Sequence, residues 1–228
     1  MEKSQQIREV LEKHHNDIAP LMRLGVSPQD MVELDFTRTN EALNNLDISD
    51  TSQFIRFMDT WLDHYTKVGI GGYGEDRFIY QRSPLFDGEE ESRSIHLGID
   101  VWVPAGTKIY TPLDAVVHSF DYNDNYGDYG TTIILEHQLE GAHFFTLYGH
   151  LSGSSLKGLK KNQTIPRNTH FAHVGAPEEN GQWPPHLHFQ LIADMLGKEG
   201  DFYGVAPPSQ KEYFMKLCPD PQLILKIE

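Results

Sequence analysis

His96 and Asp100, four residues apart, and His186 and His188, two apart, are the side chains whose types and spacing could do chemistry. Imidazole nitrogen and carboxylate oxygen are the usual ligands of a divalent metal such as zinc. Each pair sits in a stretch where polar and apolar residues alternate, the signature of a half-buried β-strand. In Ser94–Val101, His96, Gly98 and Asp100 share one face and Ile95, Leu97, Ile99 and Val101 the other. In Pro184–Leu191, His186, His188 and Gln190 oppose Leu187, Phe189 and Leu191. Gly98 leaves no side chain between His96 and Asp100. Each spacing alone is weak: 12 His and 17 Asp in 228 residues give about 0.9 chance occurrences of H-x-x-x-D and about 0.6 of H-x-H. A third alternating stretch, Phe144–Leu151, changes the odds by predicting Thr146, Tyr148 and His150 on one face.

These stretches, in this order, resemble the lysostaphin-type (LytM-like) zinc metallopeptidases, which cut peptide cross-links of bacterial cell walls. The resemblance runs from about Arg77 to Leu191 and includes the connecting text Pro104–Pro112, Tyr129–His137, Tyr148-Gly-His-Leu151 and His186-Leu-His-Phe189. It implies His96, Asp100 and His188 as ligands of Zn²⁺, and His150 and His186 as catalytic histidines beside the metal. Three protein ligands leave one tetrahedral position for water, whose pKa zinc brings near 7. Two further imidazoles would then supply a general acid or base and a donor to the oxyanion, and the sequence does not say which does which. Trp183, in the Pro-restricted text before His186, and Tyr148 are the expected substrate contacts, with a buried anchor as the competing reading for Trp183. The implied substrate is a peptide, with cell-wall-derived peptides as the leading class.

Two departures bear on specificity. Glu178–Pro185 replaces a Gly/Ser/Thr-rich approach to the H-x-H strand, and Gln190 and Thr164–His170 stand where glutamate and a glycine-rich strand are usual. The text Asn180–His188 and the ending Cys218-Pro-Asp-Pro221 look more like a branch found between kinase-like and aminotransferase-like domains in large bacterial proteins.

A formal charge of −14 argues against nucleic acid or an anionic membrane surface as partner. The only cysteine, Cys218, excludes an internal disulfide framework, and its expected state is an unreactive thiol. Residues 1–10 lack an apolar signal core and no window approaches 18 apolar residues, so a cytoplasmic location without membrane insertion is expected. Nothing in the sequence speaks to oligomeric state.

The expected fold class is α+β: an antiparallel β sandwich carrying the metallopeptidase site, with an N-terminal helical arm. Residues 1–68 read as helical, with apolar spacing over 2–24, a helical start at Ser27-Pro28 and an amphipathic stripe from Phe54 to Tyr65. Residues 69–228 read as the β domain with a C-terminal extension. Gly69–Gly74 matches G-x-G-x-x-G, but a helical pattern precedes it and a strand-like Arg77–Tyr80 follows, the reverse of a dinucleotide site. A flexible turn is expected there. Glu89-Glu90-Glu91 reads as a solvated loop, or as a rim beside the site. His118, His137, His143, His170 and His173 are expected outside the chemistry. Two other classes keep the same residues in play: a metal-bearing but catalytically silent binding module, and a two-His-one-carboxylate iron oxygenase, whose pattern more often starts from H-x-D.

Overall fold

The computed structural model describes residues 2–43, 46–88 and 90–228. It contains helices α1 (Lys3–Lys13), α2 (Thr51–Trp61) and α3 (Lys211–Leu217), and strands β1 (Met31–Leu34), β2 (Val68–Gly71), β3 (Ile95–His96), β4 (Ile99–Trp102), β5 (Lys108–Tyr110), β6 (Ala115–Asn123), β7 (Gly130–Leu139), β8 (Ala142–Leu151), β9 (Thr164–Ile165), β10 (His170–His173), β11 (Leu187–Ile192) and β12 (Val205–Ala206). The fold is α+β and built around one large sheet in the order β1-β2-β4-β11-β8-β7-β6-β9, with two small sheets, β10-β5 and β12-β3, beside it. Among the described residues no helix is long and apolar enough to cross a membrane.

Alternation along the strands divides the core in two. Ile99 and Val101, Leu187 and Phe189, and Ile133 and Leu135 pack on one face, which Ile7, Val10 and Leu11 of α1 cover. The opposite face carries two apolar clusters, one around Trp102, Phe54 and Trp183 and one around Ile134, Leu147 and Phe202. Burying each such side chain is worth about 1.5–3 kcal/mol, so register is strongly specified: a one-residue slip would turn Asp100 and His188 into an apolar layer.

Several local expectations change. The apolar spacing over 2–24 forms a helix only over Lys3–Lys13, followed by a 3₁₀ turn over His15–Asp17, and Pro20 keeps the chain beyond that turn from resuming a helix. The chain then runs extended, Leu21 bonding Lys226 and Tyr110 through the backbone. Gly69-Ile70-Gly71, expected in a turn, is the heart of β2, which pairs with β4. β1 lies parallel to β2, and residues 35–67, including α2, form the crossover that parallel strands need. Asp50 caps α2 by accepting from the amides of Ser52 and Gln53. Arg77–Tyr80 is not a strand: residues Phe78–Arg82 form a 3₁₀ helix, followed by another over Pro84–Phe86. In the charge run, Glu89 lies outside the described residues, and Glu91 accepts a bond from the Ser209 hydroxyl.

His137 is buried on β7, its Nδ1–H donating to the Asp114 carbonyl at 3.0 Å and its Nε2 lying 2.8 Å from the Thr146 hydroxyl. Burial pushes this imidazole down from 6.5 to about 4. Between those values the unfolded chain binds a proton that the folded chain refuses. The His137 contribution is therefore complete above pH 6.5 and fades as pH falls toward 4, by on the order of 3 kcal/mol. Urea unfolding at pH 7 and at pH 4.5 should show a smaller acid loss in His137→Gln than in the unmodified protein; equal losses would assign the acid sensitivity to other groups.

Candidate metal centre

Asp100 on β4 and His188 on β11 are direct partners in the antiparallel ladder, and His96 reaches them from β3 across Leu97-Gly98. A Cβ on Gly98 would lie 2.6 Å from His188 Cε1 and 2.7 Å from the Phe189 carbonyl oxygen, so glycine lets the chain pass against the ring. His96 Nε2, His188 Nδ1 and Asp100 Oδ1 form a triangle with edges of 3.0, 3.1 and 3.2 Å. All three residues are buried.

The outer nitrogens settle the tautomers. His96 Nδ1 faces the Gly72 carbonyl at 2.9 Å, which can only accept, so the hydrogen sits there and Nε2 is bare. His188 Nε2 faces Gln190 Oε1 at 2.9 Å, and the Gln190 amide nitrogen is committed to the Tyr203 carbonyl at 3.0 Å and to Cys218 Sγ at 3.1 Å. His188 Nδ1 is therefore bare as well. Burial alone would raise the Asp100 carboxyl, but His96 and then Arg77 hold it well below the ordinary carboxylate range. Burial, and after it Arg77, pushes His96 down to about 4, so it is neutral at pH 7.

Three lone pairs thus point into one small space. They repel one another unless a cation sits among them, and edges near 3.1 Å approach the roughly 3.3 Å edge of a zinc tetrahedron with bonds of about 2.0 Å. The donor set fits zinc.

Arg77, which the sequence reading passed over, completes the surroundings. It is buried, donates through Nη1 to Asp100 Oδ2 and through Nε to Glu75 Oε2 at 2.7 Å. Oδ2 is thereby occupied and Oδ1 turned inward, as outer partners of metal carboxylates do. The signal in the sequence was slight: an arginine preceding Phe78-Ile79-Tyr80 in a presumed strand. Gln190, at a position where glutamate is usual, does the corresponding service for His188.

His150 and His186 stand beside the triangle, their rings 4.2 Å apart. His186 Nδ1 lies 2.8 Å from the Pro184 carbonyl and His150 Nδ1 2.8 Å from the Asn180 carbonyl, so both keep hydrogen on Nδ1 and leave Nε2 bare. Burial holds both neutral, His186 at about 4 and His150 well below its ordinary value, the latter helped by His186. Trp102 stacks on the His186 ring at 4.1 Å and an interplanar angle of 13°.

His150 does not reach this face by simple alternation. Thr131 pairs with Leu151 and Ile133 with Tyr148, so Gly149 and His150 together oppose Thr132, and His150 takes φ +61°. This bulge turns His150 toward the metal ligands. Tyr148 stays on the other face, fully buried against Phe171 and Phe189, with its hydroxyl 3.1 Å from Thr146. The structure does not bring it to the site as a substrate contact, because the bulge separates two residues that alternation had placed together.

Above the ligands lies a cavity of about 180 Å³. Tyr80 and Phe86 of the two 3₁₀ helices, Trp183, and Phe202 and Val205 before and in β12 wall it, with Asp100, His150, His186 and His188 at its base. Trp183 is only 3% exposed, lies 4.4 Å from the Arg82 guanidinium and 6.2 Å from the Phe54 ring, and also faces His150. It is both a buried anchor and a wall of the cavity. Cys218 is buried and its thiol pushed up to about 12 by that burial, which leaves it protonated and unreactive.

Comparison with known proteins follows the same text. No curated protein sequence matches the chain. Among solved structures, a Vibrio cholerae zinc containing peptidase is 26% identical over 48% of this chain and 31% of its own, with a TM-score of 0.35. A Pseudomonas aeruginosa protein ascribed to peptidase M23 is 25% identical over 57% and 43%, with a TM-score of 0.36. LytU is 24% identical over 64% and 85%, with a TM-score of 0.36. The chain spans less than half the length of the first two. Residues 94–199, which hold all three candidate ligands and both neighbouring histidines, match the model of Peptidase family M23.

Proposed function

We propose that the protein is a zinc-dependent peptidase that hydrolyses an amide bond in short peptides, peptidoglycan-derived peptides among them. The observation that carries this reading is the meeting of three bare acceptors, one of them an ionised carboxylate, with two neutral imidazoles that each offer a bare Nε2 to the same cavity. The match of residues 94–199 to Peptidase family M23 supports it. The finer assignment to a branch carried within kinase-like and aminotransferase-like proteins rests on the text Asn180–His188 and Cys218–Pro221 alone.

His96, Asp100 and His188 would hold zinc, which when bound acts as a Lewis acid and lowers the pKa of water. The residues of the chain supply the proton traffic. Fixed by carbonyls on Nδ1, the imidazoles of His150 and His186 start as acceptors on Nε2. Whichever takes the proton of the attacking water becomes the donor that returns it to the departing amine, while its neighbour remains available to the substrate. The Pro184 and Asn180 carbonyls stabilise the transient imidazolium and hold each ring in place. The apolar walls exclude bulk water, which strengthens every one of these interactions. The same cavity, of about 180 Å³ and lined by Tyr80 and Phe86, suits a short peptide better than an intact cross-linked wall.

About one zinc per chain is expected after purification with the metal, and His188→Ala or Asp100→Ala should lose it. Arg77→Met, which frees Asp100 Oδ2, should weaken zinc affinity by roughly 10–100-fold in a chelator competition; undiminished affinity would reduce Arg77 to a packing role. His150→Ala and His186→Ala should keep zinc and lose turnover by about a hundredfold or more, and metal loss comparable to that of His188→Ala would reverse the assignment of roles. Finally, mass spectrometry should find cleavage of soluble muropeptides or short peptides and little lysis of intact walls; efficient lysis would contradict the enclosure, and cleavage of nothing would favour a silent module.

A further inference from the structure

One wall of the cavity is not used by the chemistry above. Asp128, Tyr129, Asp201 and Gly204 line it together. Tyr129 is 9% exposed, and its hydroxyl has no hydrogen-bond partner. Its ring lies 5.1 Å from that of His188 and 5.8 Å from that of His150, so the tyrosine borders one candidate ligand and one of the free imidazoles. A Cβ on Gly204 would come within 1.9 Å of the hydroxyl oxygen, so only glycine lets the phenol reach this wall. A buried hydroxyl without a partner is destabilising, and an occupant of the cavity can satisfy it.

The charges on this wall are only partly compensated by protein: Lys198 and Arg93, the latter also lining the cavity, favour the Asp201 carboxylate without forming an ion pair with it. Asp201 is half-buried, and among the described residues no lysine or arginine forms an ion pair with it. Both cations have other contacts: Arg93 donates to the Leu85 carbonyl and lies over Phe86, and Lys198 lies 4.5 Å from the Tyr203 ring centre. Asp128 accepts from the Tyr129 amide at 2.8 Å and from the Asn125 side-chain amide at 3.0 Å. Burial, and after it the neighbouring Asp128, raises the Asp201 carboxyl, as expected for like charges at close quarters.

We infer that Asp128, Asp201 and the Tyr129 hydroxyl form a subsite for a primary ammonium group of the substrate. An ammonium carries one positive charge and three N–H donors, and this wall offers two carboxylates and a hydroxyl oxygen to receive them. A substrate carboxylate would meet two like charges there, and a neutral group would leave them unpaired. The subsite rests on the proposed peptidase reading and narrows it: the preferred peptides present a free amine, either the α-amine or a side-chain amine, within a few bonds of the scissile amide.

Calorimetric titration of the zinc-loaded full chain with three probes tests this: glycylglycine, Nα-acetyl-glycyl-lysine and N-acetyl-glycylglycine. At least one ammonium-bearing probe should bind about tenfold or more tightly than N-acetyl-glycylglycine, and which one does so separates the α-amine from the side-chain amine. Asp201→Asn and Tyr129→Phe should each shrink that preference to within about threefold with zinc content unchanged and melting temperature not lowered. Equal affinity for all three probes, no binding of any, or a preference that survives both substitutions would overturn the subsite. Product formation is followed in parallel. An intact ammonium preference without product counts against the hydrolase reading alone, and product from all three probes at equal affinity counts against the subsite alone.

Discussion

Three lone pairs held about 3 Å apart are mutually repulsive, and the rest of the structure is arranged to keep them there. His96, Asp100 and His188 would relax apart if their outer atoms were free. Instead each is tied: His96 to the Gly72 carbonyl, His188 to Gln190, and Asp100 to Arg77. Such outer bonds fix ring orientation and the position of hydrogen, so the site is preorganised for a cation before one binds. Gly72 and Arg77 come from the segment that follows β2, which explains why that strand has to join the sheet beside β4.

The sheet supplies the precision. Asp100 and His188 face each other because β4 and β11 pair antiparallel in a register that both apolar faces enforce. His186 precedes β11 and is pressed against Trp102, whose own position depends on Phe36 and Phe54 from the crossover. The N-terminal third of the chain thus acts on the site through packing: it supports the indole that supports the imidazole. A β-bulge does the remaining work by turning His150 out of strict alternation.

Enclosure gives the site its chemical character. The ligands and both free imidazoles are buried, and the two 3₁₀ helices over residues 78–86 and the segment leading into β12 close around them. A low-dielectric surrounding keeps His96, His150 and His186 neutral and makes each carbonyl contact count. It also makes charge on the walls expensive to leave unpaired, so Asp128 and Asp201 bear on selectivity rather than on solubility.

What the sequence by itself determined is the set of reactive residues and the strand pattern that carries them. Alternation was enough to mark Asp100 and His188 for one sheet face, because a period of two is a local property of the backbone, but His96 lies in a separate strand of another sheet and meets them only across the break at Leu97-Gly98. The α+β class was legible for the same reason. Tyr148 and His150 mark where local reading stops: they are two apart in a strand, yet a bulge defined by pairing with β7 sends them to opposite faces. The helix that apolar spacing extended to residue 24 stops at Lys13, and Gly69–Gly71 became a strand because β1 and β4 flank it. Arg77, the roof over the cavity and the Asp128–Tyr129–Asp201 wall were decided only in the tertiary structure. Their roles come from contacts between segments distant in the chain, and residue types without spacing hold no record of such contacts.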